Sequence, residues 1–303
     1  MSIFISIASY RDPKLRSTVQ QAYEQALHPD KLRVGVLQQN SSSDKGTGAD
    51  ASGTLATVVT VPHESATGPT TARRFIESTL LGDELFYMVI DSHTSFVRHW
   101  DAIAVDQLLS CGVDQPVLTT FPPDVGSETA TYTRWKGFHR KLKLPEQERM
   151  TALNANCNPV PANGLSAGFI FTLSRLVKTC PYVCLPELFL GEEIIMATRY
   201  VKAGWQLFVP SRVIVTHIVD RSYRPIFWSL KLQKMGASSA DAMRYQQRLS
   251  AATAEVHLEL DSASDILQSH FGINLKGGKL SRWARRGFSK QCPGPSENSF
   301  KSQ

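Results

Sequence analysis

Apolar positions in this chain fall into two alternating patterns. Ile3–Ala8 (IFISIA) is a short run rich in β-branched residues and reads as a buried strand. Leu15, Val19, Ala22, Tyr23 and Ala26 then recur at helical spacing, and Asp12-Pro13 ahead of them offers a capping carboxylate and a first-turn proline. Leu32–Leu37 and Thr57–Val61 read as the next strands, with a Ser/Gly/Asp-rich stretch over 41–57 read as a flexible insertion. Gly68-Pro69 opens a helix that runs towards Leu81, and Leu85–Ile90 is a fully apolar fourth strand. A helix over His99–Leu109 and a strand over Val117–Phe121 follow.

Strands alternating with helices of this length predict an α/β fold with a mostly parallel central sheet flanked by helices. Its ligand site belongs beyond the carboxyl ends of the strands. The segment 122–161 has weak periodicity and several proline and asparagine breaks; its length marks it as a functional flap or acceptor-side region. A strand over Leu165–Leu173, a helix over Gly191–Lys202 ended by Gly204, and two short strands reaching His217 come next. Ser238–Gln268 is helical in pattern. The expected division is an α/β domain over 1–230, a helical extension over 231–275 and a basic, disordered tail over 276–303.

Composition narrows the class. The chain has 303 residues, 42% of them hydrophobic, enough for one large α/β core. The formal net charge is +6, and much of the excess lies in Lys276, Lys279, Arg282, Arg285, Arg286 and Lys290, which read as a solvated end. No basic stripe interleaved with aromatics is visible elsewhere, so nucleic acid is not an expected partner. The 5 cysteines are odd in number and scattered, which reads as reduced thiols. The longest apolar run, Leu85–Ile90, is far too short for a membrane span. As written, the chain reads as cytoplasmic; a Golgi-type anchor would have to lie outside it.

Four features carry candidate chemistry. Asp91-Ser92-His93 directly follows the apolar strand, where a charge is costly unless it faces a ligand. Residues two apart in extended chain share a face, so Asp91 and His93 can reach one cation, and an acid with an imidazole suits Mn²⁺ better than Ca²⁺ or Mg²⁺. The same pair also suits a plain strand end with Asp91 capping a turn. His217 ends another apolar strand, VIVT, and joins the set only if the fold brings it there. Glu192 and Glu193 open a helix, either to complement its dipole or to bind sugar or acceptor hydroxyls. Arg73, in the first turns of the helix after Gly68-Pro69, suits a diphosphate or simply a solvated face.

Taken together, SIASYRDP (6–13), RVGVLQQN (33–40), GPTTARRF (68–75), IDSHTSFVRHWD (90–101), PVLTTFPP (116–123), LSAGFIF (165–171), FLGEEIIMATRYVKAGW (189–205) and HIVDRSYRP (217–225) carry a resemblance. They resemble the glycosyltransferase family that contains the Skp1-protein hydroxyproline N-acetylglucosaminyltransferases and the trypanosomatid polypeptide α-N-acetylglucosaminyltransferases. A more distant similarity is to mucin-type polypeptide GalNAc-transferases. The resemblance implies a GT-A fold, a UDP-GlcNAc donor, Mn²⁺ with Mg²⁺ as alternative, a protein or peptide hydroxyl acceptor, and retention at the anomeric carbon. It implies that Asp91, His93 and His217 ligate the metal. It places Ser9, Tyr10, Arg11 and Asp12 near the uridine, Gln38 and Ser92 with the donor, Arg73 at the diphosphate and Gly168 under the donor sugar. It gives Glu192, rather than Glu193, the acidic position that contacts sugar or acceptor. The 41–57 insertion and the CPYVCLPE stretch before FLGEE depart from the family pattern, at the uracil and on the acceptor side respectively. Two other readings fit the sequence: a sugar- or nucleotide-binding module of the same fold without turnover, and a metal-dependent hydrolase or nucleotidyltransferase. The latter class gathers several carboxylates for two metals, and only one close acid–histidine pair is present here.

Overall fold

A computed structural model describes residues 2–151, 158–227, 240–282 and 284–286. The central sheet has eight strands: β1 (Ile3–Tyr10), β2 (Leu32–Asn40), β3 (Thr57–Pro62), β4 (Phe86–Asp91), β6 (Pro116–Thr119), β9 (Val160–Pro161), β10 (Phe169–Leu173) and β11 (Gln206–Val209). Their spatial order is β3-β2-β1-β4-β10-β6-β11-β9. Strands β3, β2, β1 and β4 run parallel, β10 is antiparallel between β4 and β6, and β11 returns parallel to β6. This is the expected mostly parallel α/β sheet, with reversals at β10 and β9.

The apolar run of β4 is explained by burial on both faces. Tyr87 and Val89 face a core beneath α2 (Pro69–Thr79) and α5 (Glu192–Lys202), while Met88 and Ile90 face a second core beneath α1 (Leu15–Glu24) and α3 (Trp100–Leu109). Trp100 is fully buried in the second core, and its indole N–H donates to the Ala22 carbonyl at 2.9 Å. On the other face the helix Ala240–Ser262 lays Ala252, Val256 and Leu260 against α5, where Arg199 pairs with Glu259 at 3.3 Å.

Three local expectations change. Strand β10 starts at Phe169, and residues 165–168 form a loop at the end of the sheet. The 122–161 region contains a hairpin, β7 (Thr131–Phe138) with β8 (Pro145–Thr151), in which Thr131, Tyr132 and Thr133 are buried in succession on both faces, which hides its alternation. The 41–57 stretch is bound into the fold: Asp50 accepts from the Gly46 and Ser52 amides at 2.9 Å each and from the Gln38 amide at 3.0 Å. Residues 228–239 and 287–303, which take in parts of the expected helical extension and basic tail, lie outside the described residues, as do Cys157 and Cys292. Cys111, Cys180 and Cys184 are free thiols. No described helix is long and apolar enough to cross a membrane.

Glu77 on α2 is 4% exposed; its carboxylate accepts from the Tyr182 amide at 2.7 Å and the Tyr87 hydroxyl at 3.0 Å. Burial still raises it from 4.5 to about 7. A folded value above the unfolded one favours folding through the protonated form. That contribution is complete below the unfolded value and is lost as pH rises through the folded one. Relative to the native chain, Glu77→Gln is therefore expected to gain about 2–3 kcal/mol between pH 5 and pH 8. Denaturant melts of both proteins at the two pH values check this; a difference that does not vary with pH would refute it.

Candidate active site

Strands β1 and β4 are parallel neighbours, with Ala8 opposite Asp91 at their carboxyl ends. From Asp91 the chain turns directly into β5 (Thr94–Phe96), which pairs antiparallel with β12 (Val215–His217) so that Thr94 lies opposite His217. The backbone N–H of His217 donates to the Pro123 carbonyl at 2.8 Å, and that of Ile218 to the His93 carbonyl at 3.3 Å. The buried Thr18 hydroxyl lies 3.0 Å from the Ser92 carbonyl and 2.9 Å from that of Thr94, fixing the turn from beneath. This small two-stranded ladder brings His217 to Asp91 and His93 although 124 residues separate it from His93.

One ligand-type atom from each of Asp91, His93 and His217 lies within 4.8 Å of the others. The Nε2 of His217 is 3.1 Å from the Asp91 carboxylate, and the two imidazole rings are 4.5 Å apart at their centres. Asp12, fully buried, lies behind this trio. Its carboxylate is 2.8 Å from His93 Nδ1, accepts from the Ser92 hydroxyl at 2.8 Å, and pairs with Arg224 at 3.3 Å. An ionised carboxylate can only accept, so Nδ1 carries the His93 proton and the Nε2 lone pair is left free. Nε2 of His93 is buried with no hydrogen-bond partner, as is Nδ1 of His217. One acid and two imidazoles, one of them presenting a buried lone pair, fit a borderline divalent cation.

Arg73 joins this centre to α5. Its guanidinium bonds Glu192, the Tyr182 hydroxyl at 3.3 Å, Asp91 at 3.2 Å and the Ala167 carbonyl at 3.0 Å. Burial opposes its charge, but Glu192, Tyr182 and Asp91 outweigh that and hold it protonated well above the ordinary arginine range. Burial likewise opposes ionisation of Asp91. The His217 hydrogen bond, with the fields of His93, His217 and Arg73, prevails and holds the carboxyl well below the usual range. Glu193 behaves oppositely. Burial, with Glu192 and Asp91 nearby, raises it to about 7, although it accepts from the Ala167 amide at 3.0 Å.

Two cavities meet at Asp91 and Arg73. The smaller, about 100 Å³, is walled by Tyr10, Gln39, Ser92, His93, Arg224 and Phe227. The larger, about 280 Å³, lies between the β7–β8 hairpin and the start of α5 and includes Gly168, Glu192, Glu193 and His217. Gly168 sits where a Cβ would stand 3.2 Å from Pro122 and 3.6 Å from the Asp91 carboxylate, so any side chain there would narrow the passage between the cavities.

Of the residues singled out from sequence, Tyr10, Arg73, Asp91, Ser92, His93, Gly168, Glu192 and His217 line these cavities. Ser9, Arg11, Asp12 and Gln38 do not. Side chains alternate along β1 and β2, so Ser9 and Gln38, paired in register, turn away from the cavities while Gln39 faces in. Gln38 is committed to Asp50 and Thr60, Arg11 to Asp44 at 2.8 Å, and Asp12 to His93. Glu192 reaches the cavity wall, but it is only 3% exposed and one carboxylate oxygen takes both Arg73 and the Tyr182 hydroxyl. Gln39, left open beside Gln38 as a uracil contact by the sequence, lines the smaller cavity, whereas Tyr182, Phe189, Arg221, Arg224 and Phe227 were not singled out. Arg221 and Arg224 stood in the quoted HIVDRSYRP segment, Phe189 at the start of FLGEE and Tyr182 in CPYVCLPE, and membership of those segments was their one visible signal.

The sheet order, the antiparallel β10 and the acid–histidine centre at the strand ends define a GT-A fold. The chain is similar to the crystal structure of GalNAc-T7 with UDP, GalNAc and Mn²⁺, with a TM-score of 0.58 at 13% identity, covering 96% of this chain and 56% of that one. It is also similar to Staphylococcus aureus TarS 1–349 in complex with UDP-GlcNAc, with a TM-score of 0.50 at 14% identity, covering 91% of this chain and 77% of that one. The chain thus spans little more than half of the GalNAc-T7 chain. No curated protein sequence matches it. The glycosyltransferase (GlcNAc) family matches residues 2–55 and 51–276, and the chain belongs to that family. The two matched stretches overlap at 51–55, within the 41–57 loop.

Removing one partner of a buried ion pair leaves an unanswered charge. Glu192→Gln is therefore expected to lower stability by about 2–4 kcal/mol by denaturant melt. Tyr182→Phe, which loses one neutral donor, is expected to cost about 1 kcal/mol. An unchanged melt for Glu192→Gln would mean that the glutamate does not anchor Arg73.

Proposed function

We propose that the chain transfers N-acetylglucosamine, with retention, from UDP-GlcNAc to a protein hydroxyl (hydroxyproline, Thr or Ser), as the resemblance to the Skp1-type and trypanosomatid enzymes implies. The observation that carries this reading is the meeting of two cavities at Asp91, with His93, His217 and Arg73 around the junction. The smaller cavity takes the uridine between Tyr10, Gln39 and Phe227, and the larger takes the sugar and the acceptor. Structural neighbours that hold UDP with Mn²⁺, or UDP-GlcNAc, support the choice of donor.

Asp91, His93 and His217 would hold the cation, Mn²⁺ or alternatively Mg²⁺, which when bound counters the charge of the departing diphosphate as a Lewis acid. Arg73 adds a fixed positive charge beside Asp91 that needs no reorganisation during the reaction. The acceptor hydroxyl lies between the hairpin and α5, held against the anomeric carbon. The bond from that carbon to the diphosphate oxygen breaks as the bond to the acceptor oxygen forms on the same face, and the hydroxyl proton passes to the leaving phosphate. Glu192 is bound to Arg73 and Tyr182, and Glu193 is partly protonated near pH 7. Neither is a free nucleophile, which supports front-face attack over a covalent sugar intermediate.

The metal is tested by thermal shift and turnover. UDP is expected to stabilise the protein more with Mn²⁺ than without it. Asp91→Ala, His93→Ala and His217→Ala are each expected to abolish the metal-dependent part of the shift and most release of UDP. Full turnover in chelator-treated protein would overturn the assignment. Asp12 is tested separately, because it positions His93 without facing the cavity. Asp12→Asn is expected to weaken Mn²⁺ binding in the absence of nucleotide by about ten- to a hundredfold, as read by calorimetry. Unchanged Mn²⁺ affinity in that variant would return Asp12 to a purely structural role.

A further inference from the structure

The β7–β8 hairpin forms one wall of the larger cavity through Lys136, Pro145, Glu146 and Gln147. Between Glu128 and Glu146 the sequence has no acidic residue, while Lys136, Arg140, Lys141 and Lys143 are all exposed. The other two cations of the hairpin are neutralised, Arg134 by Glu148 at 2.8 Å and Arg149 by Asp124 at 2.7 Å. Lys136, Arg140, Lys141 and Lys143 have no ion pair among the described residues. The turn that carries three of them is held firmly. The His139 amide donates to the Leu144 carbonyl and the Lys143 amide to the His139 carbonyl, both at 2.8 Å, and the Leu142 amide donates to His139 Nδ1 at 3.0 Å. His257, on the helix Ala240–Ser262, donates to the Leu142 carbonyl at 2.9 Å, and Leu144 is fully buried. One cation on β7 at the cavity wall and three on the braced turn beyond it form a fixed positive track rather than a freely solvated run of charge.

We infer that this hairpin is the acceptor-docking surface of the enzyme and that it selects polypeptides with acidic residues beside the modified hydroxyl. The inference rests on the protein-acceptor reading above. Lys136 lies at the cavity wall and Arg140 and Lys141 stand four and five residues further along the hairpin, and an extended acceptor advances about 3.3 Å per residue. The acidic positions therefore fall within about five residues of the modified one. A flexible acidic segment pays its ordering cost on docking, and an array of exposed charges sets encounter and KM more than the chemical step.

The test uses the intact chain with UDP-GlcNAc, Mn²⁺ and synthetic peptides of equal length around one central threonine or hydroxyproline, flanked by Asp/Glu, by Ser/Gly or by Lys. The acidic peptide is expected to show a KM about tenfold below the neutral one, with similar kcat, and the advantage is expected to fade as salt rises. The charge-reversing pair Arg140→Glu and Lys141→Glu is expected to remove that preference and improve the Lys-flanked peptide, while UDP affinity and melting temperature stay unchanged. Lys143 is left intact because its φ is +56°. Anisotropy of labelled peptides on UDP- and Mn²⁺-loaded protein gives a readout independent of turnover. Acidic-peptide binding that depends on Arg140 and Lys141 without sugar transfer would uphold the docking surface and sink the transfer reading. Equal KM and equal binding for acidic and neutral peptides would overturn the proposal. So would loss of binding to anionic lipid vesicles in the charge-reversed variant with peptide KM unmoved, which would reassign the surface to a membrane.

Discussion

A guanidinium in a protein interior is tolerated only where its charge is answered, and the centre of this fold is arranged around answering Arg73. Its partners come from four separate segments: Glu192 from α5, Asp91 from β4, Tyr182 from the stretch before α5, and the Ala167 carbonyl from the loop before β10. Lysine could not substitute, because three donors on a point charge cannot reach four partners in a plane. The neighbouring Arg74, about 100° further round the same helix, is 39% exposed on its side chain and among the described residues pairs with Glu77 at 4.0 Å. A single residue step along α2 thus separates a cation that organises a site from one that borders it.

A second carboxylate does comparable work on the other side of Asp91. Asp12 follows β1 and draws in His93, Ser92 and Arg224, so the end of β1, the turn after β4 and the chain beyond His217 meet at one charge. The Asp91 carboxylate lies between the two arrangements, with Arg73 at one oxygen and His217 at the other. Disturbing either neighbour changes the field at the same group. Stability and ligand binding are therefore coupled here.

The regular elements were legible in the sequence because their physics is local. Runs such as LFYMVI are buried on both faces, and α1 and α5 show helical spacing. The sequence also marked Asp91, His93 and His217 as ligand types at strand ends, and the pairing of Thr94 with His217 brings them together. What did not show was direction. Gln38 and Gln39 are chemically identical and adjacent, and only the pleat of β2 sends one to Asp50 and the other to the cavity. Asp12 likewise read as a donor contact, because a motif records that a carboxylate is needed and not which way it points. The β7–β8 hairpin was missed because Thr131, Tyr132 and Thr133 are buried in succession, on both faces of β7, and two of the three are threonines, so apolarity does not alternate.

The reversal of β10 explains why so much of the site comes from irregular chain. In a purely parallel sheet, a connection leaving the ligand edge crosses back through a helix and re-enters at the opposite edge. Here the chain leaves β6 at Thr119, on the ligand edge, and re-enters through the start of the antiparallel β10 at Phe169 on that same edge. The whole excursion between them, hairpin included, is thereby held where the strands β1 and β4 end. Its last residues, Ser166, Ala167 and Gly168, are small, and they pass beside Asp91 where larger side chains would close the junction of the two cavities. A single strand reversal thus converts a crossover into a wall of the larger cavity. Parallel pairing with β1 fixes where β4 ends at Asp91, whereas 122–161 need only span two points on one edge of the sheet.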